Sequence, residues 1–318
     1  MSITREEVIS AYRLLLNREP ESEAVVTSHQ AAADWRQLRH SFMGSEEYRY
    51  IHGYLDGWMV APVFDDTLLL WVNMQDKYVS MHCANDTYEP ENSALISKLL
   101  RTGDMFLDLG ANIGWFTLLA SSIVGSGGHV HCFEPQPVIA GYLRRTLALN
   151  GLERRVSLRQ AGVWHETGSM RLAWADYSEN HGASHLMPEA DDAAIGSAVD
   201  LVTLDSLCLS RCDLIKMDIE GAEPRAMQGA VRLLADSRPI ILSELNAPQL
   251  AAVSQVGCGD YVRQMNQSGY QCIGTRGDRR GRVITPHDEL AGAFTDVLFA
   301  PNERVGEAMA ALAQHVTT

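Results

Sequence analysis

Phe106–Thr117 reads F-L-D-L-G-A-N-I-G-W-F-T. Its first four residues have the apolar character of a buried strand. The two glycines, four residues apart, allow a sharp backbone turn, and the residues from Trp115 onward continue as a helix. A strand that turns on glycine into a helix opens a βαβ crossover. In sheets built from such units, ligands sit beyond the carboxyl ends of the strands. The stretch therefore predicts a small charged ligand held at a first crossover.

Working outward, the alternation continues. Strands are expected at Met105–Leu109, His129–Glu134, Val156–Val163, Leu214–Asp218 and Pro239–Leu245, with helices at Trp115–Val124, Pro137–Asn150 and Pro224–Leu234. Shorter strands are expected at Gln271–Gly274, Val283–Thr285 and Thr295–Phe299. This order predicts an α/β domain with a doubly wound, mostly parallel sheet and helices on both faces. Upstream, T-R-E-E-V-I-S-A-Y-R-L-L-L-N carries apolar residues at helical spacing behind a Thr4–Glu7 capping box. Further helices are expected over Ser22–Ala33 and Trp35–Tyr50, then a joint over 51–62, a hairpin over 67–83 turning at Gln75–Lys77, and a lead-in helix at Glu91–Leu100. The expected organisation is a small all-α domain at 1–55, a linker, hairpin and lead-in helix at 56–102, and a Rossmann-like domain at 103–318. The last contains a long polar loop, Asp176–Ala198, of the length that lids have.

The net charge of −14 argues against nucleic acid as a partner, because phosphate binding needs a basic face. The one basic cluster, R-G-D-R-R-G-R at Arg276–Arg282, is read as a solvated hairpin tip. The six cysteines form no CxxC pair, so they are read as reduced core thiols, and no zinc site is predicted. The polar start M-S-I-T-R-E-E-V-I-S is unlike a signal peptide. The most apolar window, Met105–Val124, reads as strand plus helix and not as a membrane span. A cytoplasmic protein is the expectation.

Two ligands suit a glycine turn after a first strand. Nicotinamide dinucleotides prefer G-x-G-x-x-G, which D-L-G-A-N-I-G lacks. Asp108 would repel a diphosphate and attract an ammonium or sulfonium. Glu134, ending the second strand, suits the hydroxyls of a ribose. The pattern predicts S-adenosylmethionine, released as S-adenosylhomocysteine. Asp108 would hold its amino end, Gly110, Asn112 and Gly114 would line the methionine portion, Glu134 the ribose, and Gln160, Gly162 and Val163 the adenine, with Phe116 and Thr117 as further contacts to the donor.

The segments G-D-M-F-L-D-L-G-A-N-I-G-W-F-T-L-L-A-S, H-C-F-E-P-Q-P, L-A-L-N-G-L, T-L-D-S-L, D-L-I-K-M-D-I-E-G-A-E and I-L-S-E-L-N resemble the FkbM-type methyltransferases in order and spacing, over about Thr67–Pro301. The resemblance implies a class I fold of seven strands with the last antiparallel, and O-methylation of hydroxyls on sugars, polyketides and related small molecules. Carried over by position, it makes Asp108, Gly110, Asn112, Gly114 and Glu134 cofactor contacts, and it turns Asp218 and Glu220 toward the transferred methyl. L-L-N-R-E-P-E-S-E and S-E-E-Y-R resemble a helical domain found in bacterial surface-glycan proteins, without the glycine that usually follows its R-E-P acidic run. That resemblance implies a glycan acceptor. It also makes the N-terminal helices a candidate surface for self-association or for a glycan-assembly partner.

A sugar hydroxyl is a poor nucleophile and needs a base within hydrogen-bond reach. The candidates are His185 and His181 in the long loop, favoured as the base, with Asp218 orienting the acceptor or the methionine end and Glu220 and Glu244 as further candidates at strand ends. A metal on Asp218, Glu244 and a loop histidine is compatible with the spacing but is not predicted. Trp164, Trp174 and Tyr177 flank the loop, where core packing is their default role. Two alternatives stay open at this point. One is a nicotinamide-dependent oxidoreductase. The other is a non-catalytic scaffold module in glycan assembly, for which Asp108→Ala and Glu134→Ala would be silent.

Overall fold

A computed structural model describes residues 3–43, 45, 47–48, 57–173, 184–187, 196–288, 290 and 294–313. The chain divides into two compact units, Met1–Tyr88 and Glu89–Thr318.

In the first unit, the helix Arg5–Leu16 starts at the capping box read from Thr4 and Glu7. It buries Val8, Ala11, Tyr12 and Leu16 with Val26 of the helix Glu23–Gln30 and Leu38 and Phe42 of the helix Trp35–Met43. The Tyr12 and Phe42 rings meet edge to face at 4.7 Å. The hairpin lies earlier than expected. Strand β1 (Trp58–Val63) occupies part of the supposed joint and pairs antiparallel with β2 (Leu68–Asn73). Two carboxylates explain the shift. The Asp86 side chain accepts the N–H groups of Phe64 and Asp65 in a left-handed turn over Phe64–Asp66. The Asp76 side chain accepts those of Tyr78, Val79 and Ser80, which starts the helix Ser80–Ala84 where a second strand was expected.

The second unit opens with the lead-in helix Pro90–Leu99. Its main sheet is built from β3 (Met105–Leu109), β4 (His129–Phe133), β5 (Val156–Arg159), β10 (Leu214–Met217), β11 (Ile240–Asn246), β12 (Tyr270–Gly274), β13 (Val283–Ile284) and β14 (Phe294–Pro301). The spatial order is β13-β12-β14-β11-β10-β3-β4-β5. Strands β5, β4, β3, β10 and β11 run parallel, and β14 runs antiparallel between β11 and β12. This is the class I methyltransferase arrangement expected from the sequence, with the two-residue β13 added at one edge. The central strands are buried on both faces, as L-I-K-M of β10 shows: all four residues lie in the interior.

A second sheet, order β6-β9-β7-β8, joins β6 (Gly162–Val163), β7 (Gly168–Ala173), β8 (His185–Met187) and β9 (Gly196–Val202). It corrects two expectations. Val156–Val163 is not one strand: it breaks at Gln160–Ala161, and Gly162 leaves the main sheet to pair with Leu201. The stretch 176–198 is not wholly loop, because β8 and the start of β9 lie within it. Leu186 and Leu172 face each other across β7 and β8 and are buried with Trp164. The helix expected at Pro224–Leu234 is two, Glu223–Gln228 and Val231–Asp236. The break falls at Gly229, whose carbonyl accepts the Asp205 N–H, while the Asp205 carboxylate caps Arg232 and Leu233. Among the described residues, no helix is long and apolar enough to cross a membrane.

Candidate active site at the carboxyl ends of the central strands

The turn after β3 is held by its own backbone. The N–H groups of Gly110 and Ala111 both donate to the Phe133 carbonyl, at 3.0 and 2.9 Å. Gly110 has φ +79°, and a Cβ there would overlap the Asp218 carbonyl oxygen, so only glycine lets the β3 turn close on the end of β10. Gly114 precedes the helix Trp115–Val124 at φ +106°, a conformation that side-chain-bearing residues rarely adopt, and the Leu143 side chain packs against it.

Glu134 braces this turn. One of its carboxylate oxygens accepts the Asn112 N–H and the other the Gln136 N–H, each at 2.9 Å. Burial pushes its carboxyl up to about 7, against the pull of those two N–H groups. Asn112 itself is half-buried at φ 49°, with its side-chain oxygen accepting the Ile113 N–H. Asp108 is 0% exposed. Its Oδ2 accepts the Thr117 hydroxyl at 2.6 Å, while its Oδ1 is buried with no hydrogen-bond partner. Burial raises its carboxyl, opposed first by the charge of Lys216.

Lys216 was missed by sequence reasoning. It lies beside Asp108 in the β3–β10 register. Its ammonium is 3.1 Å from Asp218 Oδ2 and 4.8 Å from the centre of the Phe116 ring. Burial alone would lower its pKa, but Asp218, Glu89 and Asp108 outweigh that and hold it charged. A signal was present in the sequence: a lysine inside an otherwise apolar central strand must find carboxylate partners.

Asp218, Glu220 and Glu244 share this rim. Glu220 (φ 51°) and Gly221 (φ 92°) are both left-handed. The turn is fixed from below by Glu223, whose buried carboxylate accepts the Ile219 N–H at 3.0 Å, and by Ser254, whose hydroxyl donates to the Gly221 carbonyl at 2.5 Å. Burial and then the charge of Asp218 push Glu220 up to about 8. Burial and the charges of Asp218, Glu220, Glu223 and Asp296 push Glu244 up to about 9. Asp296, opposite Glu244 on β14, is raised to about 6 by burial and held by Arg276 at 2.8 Å. Arg276 is thus tied into the rim, not spent on a solvated hairpin tip.

The remaining expected residues lie elsewhere. Phe116 and Thr117 pack against the two buried charges, as above. Gln160 is exposed just past β5, and Gly162 and Val163 are buried in the second sheet. His185 lies on β8 and lines a cleft of about 270 Å³ with Met187, Ala251, Ala252 and Gln255. Trp164 is buried in the core of the second sheet. His181, Trp174 and Tyr177 lie outside the described residues. Among the described residues, no group of three or more His, Cys, Asp or Glu side chains is arranged to hold a metal ion. The donor set therefore presents carboxylates and an orphaned buried acceptor, which suits a ligand bearing N–H groups and positive charge and opposes a diphosphate.

The Methyltransferase FkbM domain family matches residues 108–272, just over half of the chain and all of the crossover and rim from Asp108 to Glu244. Among curated proteins, methyltransferase sdnD of Sordaria araneosa is 29% identical, over 41% of this chain and 61% of that protein. The 31-O-demethyl-FK506 methyltransferase FkbM of Streptomyces tacrolimicus is 40% identical, over 24% of this chain and 28% of that protein. The chain thus spans about three fifths of the first relative's length and just over a quarter of the second's. Among solved structures, a methyltransferase FkbM from Methylobacillus flagellatus KT superposes with a TM-score of 0.40 at 19% identity, covering 87% of this chain and 58% of that one.

Proposed function

The chain belongs to the FkbM methyltransferase family, and on that premise we propose that it transfers a methyl group from S-adenosylmethionine to a hydroxyl oxygen of a sugar, glycan or related small molecule. The observation that carries the reading is Asp108, a fully buried carboxylate with an orphaned oxygen at the end of the first strand. Beside it, Glu134 and Asn112 shape the turn, and a rim of carboxylates disfavours a dinucleotide diphosphate. When bound, S-adenosylmethionine supplies an electrophilic methyl on a sulfonium.

The chain's own residues do the rest. Asp108 and Glu134 orient the donor, while Lys216 and Asp218 fix each other at the end of β10. Glu244 and Glu220, at the rim beside Asp218, are the candidate bases: in its ionised form either carboxylate can accept the proton of a hydroxyl brought within reach. With donor and acceptor bound, one of these carboxylates would take the hydroxyl proton as the methyl passes from sulfur to oxygen. A base so placed contributes about 10²–10⁴-fold. The acidic rim also favours a neutral acceptor over an anionic one, which supports a neutral sugar over a phosphorylated one.

The test is calorimetry with S-adenosylmethionine, S-adenosylhomocysteine and NAD, followed by mass spectrometry of labelled methyl transfer into a panel of neutral and phosphorylated sugars. Binding of NAD alone would overturn the assignment. In the transfer assay, loss of rate in Glu244→Gln with retention in His185→Ala is expected, and the reverse would move the base to the cleft on β8.

A further inference from the structure

The lead-in helix Pro90–Leu99 brings its first residues to the ends of the central strands, where nothing in the sequence pointed to them. Three contacts fix it there. The Trp115 indole N–H donates to the Ser93 hydroxyl at 3.0 Å. Arg276 joins Glu91, at 3.0 Å, to Asp296, at 2.8 Å. The buried Asn92 amide donates to Glu89 Oε2 at 2.6 Å and also holds Asp296.

Glu89 is thereby set at a left-handed φ of 40° just before the helix. Its charge is felt by Lys216, Asp108 and Asp296 together. The group counts Glu89, Asp108, Asp218 and Asp296 against Lys216 and Arg276, so it is short of positive charge. It also contains two buried acceptor atoms without a donor, Asp108 Oδ1 and Asn92 Oδ1. A buried acceptor left unpaired is costly, and each of these is open to an N–H donor. Asp108 and Asn92 are almost wholly enclosed, whereas Glu89 is half-buried and reaches the surface.

Resting on the reading that S-adenosylmethionine is the donor, we propose that Glu89 is a further binding residue: its carboxylate pairs with the primary ammonium of the donor's methionine portion. Asn92 is the positioning residue that aims it, and Asp108 adds its charge from beneath. The lead-in helix is then one wall of the donor site, facing the glycine turn across the ends of β3 and β10.

The experiment is calorimetry on the full chain with S-adenosylmethionine, S-adenosylhomocysteine and adenosine, comparing wild type, Glu89→Gln and Glu89→Asp. Adenosine lacks the ammonium, and S-adenosylhomocysteine keeps it without the sulfonium. Glu89→Gln is expected to weaken both ammonium-bearing ligands about tenfold, as loss of a charge-assisted hydrogen bond does, and adenosine less than twofold. Glu89→Asp, which keeps the charge on a shorter arm, is expected to fall between, and it carries the test if Glu89→Gln does not fold. Equal losses on all three ligands would make Glu89 merely structural and overturn the proposal, as would no loss. A loss confined to S-adenosylmethionine would place Glu89 at the sulfonium and overturn the ammonium assignment. Failure of the wild type to bind S-adenosylmethionine would sink the parent reading along with this one, whereas normal binding by Glu89→Gln sinks this one alone.

Discussion

Replacing Lys216 by Met keeps the length of the side chain and removes the buried cation on which the site's charge balance rests. Lys216 is 4% exposed and Asp108 is 0% exposed, and they are neighbours in the β3–β10 register. Removing one member of a buried ion pair costs about 3–5 kcal/mol, because the partner is left uncompensated. Asp218, the ion-pair partner, has a side chain 31% exposed and can recover hydration. Asp108, which feels the ammonium's charge without an ion pair to it, loses that charge. The lower end therefore applies, about 3 kcal/mol at pH 8. For a unit of this size that lowers Tm by about 6–12 °C. The sign of the pH dependence follows from Asp108. Burial already raises its carboxyl and Lys216 opposes that rise, so Lys216→Met raises it further. A carboxyl raised in the folded state destabilises nothing below its unfolded value of about 4, and its penalty grows as pH climbs through the folded value. The deficit should thus be largest at pH 8 and shrink toward pH 5. Adding Asp108→Asn should recover more than half of it. Urea denaturation at both pH values, with hydrogen exchange on β3 and β10 peptides, measures all three effects. A Lys216→Met chain within 0.5 kcal/mol of wild type at pH 8, or an Asp108→Asn change that deepens the loss, would refute the reasoning.

Glu134 and Glu223 at about 7, Glu220 at about 8 and Glu244 at about 9 all lie above the unfolded carboxyl range. Their stabilising share is complete below about pH 4.3 and is lost as pH rises through those values, so calorimetric Tm of the ligand-free protein should fall from pH 6 to 9. Glu244→Gln should flatten the upper part of that fall, and a Tm that rises with pH would contradict the charge crowding at the rim. Gly110→Ala combines a left-handed φ of +79° with backbone overlap at Asp218. It should cost at least about 3 kcal/mol or prevent folding, read as loss of soluble expression or of the urea midpoint. Asp205→Ala removes the caps on the Arg232 and Leu233 N–H groups, each held at 2.9 Å. About 1–2 kcal/mol of stability should go, with faster hydrogen exchange confined to the helix Val231–Asp236.

The crossover was legible in the sequence because its signals are local. Glycines at 110 and 114, the apolar strand before them and the helix after them act within a dozen residues, and the strand–helix alternation repeats at short range. Asp108 and Glu134 could be placed at strand ends for the same reason. The differences arose where a single carboxylate captured backbone N–H groups or where a strand paired with a distant one. Asp86 and Asp76 moved the first hairpin, Asp205 broke a helix in two, and the pairing of Gly162 with Leu201 took Gly162 and Val163, expected beside the adenine, into a second sheet.

By itself, then, the sequence determined the parallel sheet, the glycine turn after its first strand and the carboxylates at the strand ends beside that turn, since each depends on residue type and short spacing. Only the tertiary structure decided that Lys216 pairs with Asp218 beside the buried Asp108, that Glu89 and Asn92 join them from the lead-in helix, and that Glu220, Glu244 and Asp296 share one rim. Those facts depend on which strands become neighbours and on how far burial and like charge shift a carboxyl. Both are properties of packed surfaces, and no local stretch of sequence carries them.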